Sequence, residues 1–311
     1  MRSASRPNLL GMYLTDLEAL VTSSGYSVSH AREVWRAVFR ELATDFDSMR
    51  SVPEALRRYL TQRVSFQVPR VMASTEELQA NGRKDLLEME DGAQVEVVLL
   101  RYRQRYSVCA STQVGCACSC RFCATGQMGF VRNLSGAEIV AQVLHMQRAL
   151  SLNGAALSNF VLMGMGEPLL NYDNTLAAVS ILTDPRGCAF PPRRVTLSTV
   201  GIIPGIRRLA SEALPINLAI SLHAATDKLR SQLLPVNQQY PLADLASAAR
   251  EFTQTTGRRV LFEWVMISGI NDSREQACRL VELVNDIPCH VNLIRLNPTE
   301  GCQDKSSEDE V

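Results

Sequence analysis

The chain has 311 residues, 46% of them hydrophobic and 21% charged, with 32 basic and 32 acidic side chains and a formal net charge of zero. No apolar run approaches the roughly 18 residues of a membrane span, and the first thirty residues lack the continuous apolar core of a secretory signal, which argues against membrane and secreted classes and for a cytoplasmic protein. Zero net charge provides no global field for nucleic acid, so any such contact must come from local patches.

Residues 1–75 read as short amphipathic helices, with Thr15 to Glu18 and Ser51 to Glu54 spaced as capping boxes. Leu17, Leu20, Val21, Val34, Trp35, Val38 and Phe39 are its expected core. Ten arginines outnumber seven acids in this stretch, so it is locally basic; a solvated helical face explains that as readily as a partner does.

From Val95 onward short apolar strands alternate with helical periodicity. The expected strands are Tyr106 to Ser111, Asn159 to Met163, Arg194 to Ser198, Ile216 to Ser221, Val260 to Met266 and His290 to Leu296. Between them, Ala137 to Leu150, Asn174 to Leu182, Ile203 to Glu212, Leu242 to Thr253 and Ser273 to Asn285 carry helical spacing. Strands alternating with helices imply a parallel α/β sheet, read as a partial (β/α)6 barrel whose working site lies at the strands' carboxyl ends. The expected division is a helical domain over 1–75, a barrel over 76–300 and a disordered acidic tail over 301–311.

Four of nine cysteines, Cys116, Cys118, Cys120 and Cys123, fall within eight residues directly after the first expected barrel strand. The C-x3-C-x2-C spacing of Cys116, Cys120 and Cys123 suits three irons of a 4Fe-4S cluster with the fourth iron open, and resembles the radical S-adenosylmethionine (SAM) superfamily. A zinc site or reduced structural cysteines are the competing readings, although zinc would want a fourth protein ligand. Cys118 is taken as a spare. Gly164-Met-Gly166-Glu167-Pro168 follows the second strand, where glycines admit a ligand close to the backbone and Glu167 can accept hydrogen bonds. Ser198, Ser221-Leu222-His223 and Asn297 occupy later strand ends and are expected to converge on the same cavity. Arg101, Arg103 and Arg105 alternate along an extended stretch; they suit either a solvated strand edge or a row of phosphate contacts.

With these residues in place, the chain resembles the RlmN/Cfr family of radical SAM RNA adenine methyltransferases. The resemblance rests on Cys109-Ala-Ser-Thr-Gln-Val-Gly-Cys116, on Phe122 through Leu134, on Met163 through Pro168, on Arg194 through Thr199 and on Ser221-Leu-His-Ala224. It implies a cluster on Cys116, Cys120 and Cys123 and a SAM pocket lined by Gly166, Glu167, Ser198, Ser221, Leu222, His223 and Asn297. It further implies that Glu96 is a proton acceptor, that Cys109 resolves a protein–RNA adduct through a disulfide, and that the N-terminal helices are an accessory RNA-binding domain. The implied substrate is an adenine of 23S rRNA, and of tRNA as a second target, methylated at C2 in preference to C8. A flavodoxin or ferredoxin electron donor and a monomeric enzyme go with that reading. The family continues after the position of Gly301 to a methyl-carrying cysteine, whereas Cys302 to Val311 follow here. The expectation is therefore a shortened member lacking that carrier, with Cys302 the nearest substitute, and a SAM-cleaving or RNA-binding remnant is the alternative function.

Overall fold

The computed structural model describes residues 6–77, 82–212, 214–297 and 304–307. In chain order the helices α1 (Leu14–Thr22), α2 (Val28–Phe39) and α3 (Glu54–Arg63) precede the strands β1 (Arg70–Glu77), β2 (Gly82–Glu88), β3 (Gln94–Tyr102), β4 (Arg105–Cys109) and β5 (Gln113–Gly115). Then come α4 (Ala124–Gln127), β6 (Phe130–Asn133), α5 (Gly136–Ser151), β7 (Asn159–Leu162), α6 (Tyr172–Thr183), β8 (Val195–Thr199), α7 (Ile203–Ser211) and β9 (Asn217–Ser221). The chain continues through α8 (Asp227–Leu233), α9 (Leu242–Thr256), β10 (Val260–Met266), α10 (Arg274–Val284) and β11 (Cys289–Arg295).

Two compact units emerge. The first comprises Met1–Thr112, Leu134–Gly164 and Asp173–Val195; the second comprises Gln113–Asn133, Met165–Tyr172 and Thr196–Val311.

In the first unit the predicted helical core forms, with Leu17, Val21, Val34, Trp35, Val38 and Phe39 buried and Leu20 half-buried. The predicted capping boxes do not form. Tyr13 and Pro53 stand at the N-caps of α1 and α3 without side-chain cap bonds, so Thr15 lies inside its helix and Ser51 ahead of its own. The capping box that does form is Ser135 with Glu138 at the start of α5. The helical stretch also ends earlier than expected, because Arg70 opens an antiparallel run β1-β2-β3-β4 to which β7 adds in parallel. Asp85 of β2 is fully buried, accepting from Arg83, Ser74 and the His145 ring of α5, the last at 2.6 Å. A carboxylate is tolerable there because each neighbour is a donor.

The second unit carries β8-β9-β10-β11, paired in parallel in that order. Their core side chains include Leu197, Leu218, Ile220, Phe262 and Trp264, and α9 adds the buried Leu245, Ala249 and Phe252. The predicted β10 coincides with the observed strand, and the other five predicted strands fall within a few residues of theirs. Cys302 lies outside the described residues, as does the expected disordered tail apart from residues 304–307. There Ser306 bridges Ile267, and Arg121 donates to Asp304 at 2.7 Å.

Candidate functional site

The cysteine loop is gripped at its base by two short antiparallel strands of the second unit, β5 and β6, whose register breaks between Val114 and Gly115. Gly115 has φ +72°, and a Cβ there would stand 1.8 Å from the Gly129 carbonyl, so only glycine fits. The same carbonyl accepts from Cys116 N at 2.9 Å, and Arg121 N donates to Leu233 O at 2.9 Å, which fixes the loop's far side. Ser119, at φ 49°, turns the chain between Cys118 and Cys120.

Cys116, Cys118 and Cys120 are buried and Cys123 half-buried, among Ala224, Leu233, Leu234, Val265 and Ile267. Burial pushes the Cys120 thiol up to about 12, and the nearby Cys123, Cys116 and Glu167 charges push the same way. Cys118 is held protonated chiefly by its hydrogen bond to Cys116, and that bond lowers Cys116 in turn. Three thiolates here would thus repel one another in an apolar shell, an arrangement that calls for bound cationic metal. Among the described residues no three His, Cys, Asp or Glu side chains gather into a ligand set for a single ion. An iron–sulfur cluster makes a different demand, since each thiolate meets its own iron at the corner of a wide cubane. The thiol donors suit such a cluster.

Glu167 sits at the N-cap of a short turn after Gly166 and is 2% exposed. Its Oε1 accepts from Leu169 N at 3.0 Å and its Oε2 from Val200 N at 2.8 Å. Burial nevertheless raises its pKa to about 7, with the Cys116 charge adding to the rise. Gly166 has φ +99°, and a Cβ there would meet the Gln113 Cβ at 2.5 Å. That close approach lets Gln113 Oε1 accept from Glu167 N at 2.8 Å, so sequence-distant β5 sets the carboxylate's position. A cationic ligand group would restore the carboxylate's charge.

Ser198 lies in β8 and Ser221 ends β9, both half-buried, while Leu222 and His223 are buried and Asn297 is exposed beyond β11. His223 adopts φ 59°, a costly conformation for a side chain with a Cβ. Its Nδ1 accepts from Val265 N at 3.0 Å, which leaves any ring proton on Nε2, and its ring meets Phe122 of the cysteine loop edge-on at 4.9 Å. Burial, with Arg230 adding to it, depresses its pKa to about 3, so the imidazole is neutral.

The sequence reading passed over Arg230. This fully buried guanidinium on α8 donates to the carbonyls of Val200, Ser221 and Leu222 and to Asn237 Oδ1, binding the ends of β8 and β9 together. Nothing in an otherwise amphipathic Asp-Lys-Leu-Arg stretch marks one arginine as internal.

Glu96 and Cys109 belong to the first unit. Val98 stands opposite Cys109 in the β3–β4 register, so Glu96 and Cys109 are diagonal neighbours on one sheet face. Glu96 pairs with Lys84 at 2.9 Å. Burial raises the half-buried Cys109 thiol to about 11. The disulfide implied for Cys109 is not formed, since the eight described cysteines are all free thiols.

Comparison with known proteins agrees with this geometry. The pattern of the Radical SAM superfamily matches residues 110–281, and that of the ribosomal RNA large subunit methyltransferase N-terminal domain matches residues 7–65. A "Dual-specificity RNA methyltransferase RlmN 1" of Myxococcus xanthus (strain DK1622) is 45% identical over 303 residues, covering 97% of this chain and 84% of its own length. The crystal structure of a radical SAM methyltransferase from Sphaerobacter thermophilus superimposes with a TM-score of 0.95 at 42% identity, covering 98% of this chain and 89% of that one.

Proposed function

Because the chain belongs to the RlmN family and has the radical SAM fold, we propose that it methylates an adenine of RNA, at C2 in preference to C8, with 23S rRNA as substrate and tRNA as a second target. The observation that carries this is that the buried cysteines and the buried Glu167 of the second unit press negative charge on one another and so favour bound cations.

In this reading Cys116, Cys120 and Cys123 hold the cluster, and Cys118 stays a thiol beside them. With SAM bound there, this site would provide the one-electron reduction of the sulfonium on which radical SAM chemistry depends. Glu167 holds the ammonium of SAM, and Gly166 lets the backbone come close to it. Ser198, Ser221 and Asn297 offer hydrogen bonds along the pocket, Leu222 excludes water, and neutral His223 keeps the positive SAM free of a like charge. Glu96 takes the proton lost from the adenine carbon. The diagonal placement of Glu96 beside Cys109 on one sheet face supports their acting at one place. The helices up to Arg63 act as an accessory RNA-binding domain, a flavodoxin or ferredoxin delivers the electron, and the enzyme is a cytoplasmic monomer. Among the described residues no helix is long and apolar enough to cross a membrane.

Mass spectrometry of nucleosides from rRNA and tRNA, in cells with and without the gene, tests the proposal. A loss of methyladenosine on deletion supports it. Unchanged methyladenosine in both RNAs contradicts it.

A further inference from the structure

We infer that the tip of the β3–β4 hairpin is a second RNA contact, stacking an unpaired base on Tyr102 and holding the flanking phosphates with Arg103 and Arg105. This inference rests on the reading of RNA as the substrate.

The hairpin closes between Tyr102 and Arg105. Among the described residues, pairing with β2 ends at Gly82 opposite Leu100, and on the other side Tyr106 is still bonded to Ser158, so residues 102–105 form the tip. Residues 97–110 contain no carboxylate and three arginines. Arg101, Arg103 and Arg105 are all exposed, and none is in an ion pair with a carboxylate among the described residues. Arg103 makes the turn at φ 54°, where glycine or asparagine would sit with less strain. A bulky cation is thus kept at a position that backbone preference disfavours.

Charge alone would suit a strand overhang guarded against aggregation. The aromatic contradicts that explanation, because Tyr102 is 71% exposed and Leu100 beside it 43%, the reverse of a guarded edge. The Arg103 guanidinium lies over the Tyr102 ring, 5.6 Å from its centre, so a cation and an exposed aromatic stand together at the tip. Arg101 is anchored differently, over Tyr106 at 5.9 Å on the opposite, core-facing side. An exposed aromatic close to arginines that have no carboxylate partner among the described residues is the platform that unpaired nucleic acid stacks on.

The face itself gives direction. Glu96, Val98, Leu100 and Tyr102 alternate onto one side of β3, and Cys109, Ser107 and Arg105 lie opposite them. The run from Tyr102 to Glu96 is about 20 Å at the usual strand rise. RNA anchored at the tip would therefore lie along the face that carries Glu96 and Cys109.

The test uses the reconstituted full chain and two labelled probes, an RNA stem-loop with adenines in its loop and a fully paired RNA duplex. Tyr102→Ala is expected to weaken stem-loop binding about tenfold and Tyr102→Phe to restore it, with little change for the duplex. Arg103→Ala with Arg105→Ala is expected to reduce the slope of log affinity against log salt by about 1.4, for two phosphates on a single strand. Thermal melting and cluster absorbance matching the parent protein establish that each variant is folded. Parent-like stem-loop affinity and salt slope in these variants overturn the inference while leaving the RNA substrate intact. Equal loss for stem-loop and duplex overturns the stacking role. Failure of the parent protein to bind either probe overturns the RNA reading and this inference together.

Discussion

At the scale of single residues, the site depends on side chains whose charge is set by burial. His223 is the clearest case for measurement. Its pKa is depressed from 6.5 to about 3 in the folded chain, so below pH 6.5 the unfolded chain binds a proton that the native one refuses. Stability is therefore full above pH 6.5 and declines as pH falls towards 3, with a slope approaching about 1.4 kcal/mol per pH unit. Urea unfolding of the parent and of His223→Gln between pH 6.5 and 5 should show that slope in the difference between them. Parallel curves would refute it. Gly166 offers a steric counterpart, since alanine there brings its Cβ against Gln113 at a positive φ. Gly166→Ala should cost on the order of 3 kcal/mol in chemical denaturation and weaken SAM binding, because Glu167 is carried by the same backbone. Cys118, which stands outside the C-x3-C-x2-C spacing, should be dispensable: Cys118→Ala retains the iron that Cys120→Ala loses, as metal analysis of the two would show.

At the scale of elements, what the sequence made legible follows from how each segment is buried. The strand Val260–Met266 has apolar residues on both faces around a single Glu263, so its boundaries stand out. β1 and β2 escaped notice because every described β1 side chain is exposed and β2 mixes Arg, Lys and Asp into its alternation. The Asp85 network explains that mixture, as its charge is internal and satisfied, which no pattern of polarity could reveal. Replacing Asp85 with alanine should destabilise the chain by about 3–5 kcal/mol, because Arg83 and His145 lose their shared acceptor. Thermal melting would check this, and a change below about 1 kcal/mol would mean that the network is solvated rather than structural. The capping patterns at Thr15 and Ser51 misled for a local reason, since Tyr13 and Pro53 already occupy the N-cap positions. Of the site residues, the cysteines and Glu167 were visible through spacing and position after strands. Gln113 and Arg230, which hold Glu167 and the ends of β8 and β9, act through tertiary contacts that spacing does not encode.

At the scale of the whole molecule, the two units carry different groups of residues. The second unit gathers the cysteine loop, Glu167 and the ends of β8 and β9. The first carries Glu96 and Cys109 on one sheet face that runs out to the arginine hairpin. Both assignments depend on the second unit holding a cluster with one iron open to SAM. The most direct measurement is anaerobic reconstitution followed by iron and sulfide analysis, with visible and electron paramagnetic resonance spectra recorded before and after addition of SAM. The account predicts about four irons and four sulfides per chain, lost in Cys116→Ala, Cys120→Ala and Cys123→Ala, and a spectrum that changes when SAM binds. Stoichiometric zinc without iron, or a cluster whose spectrum is indifferent to SAM, would contradict it.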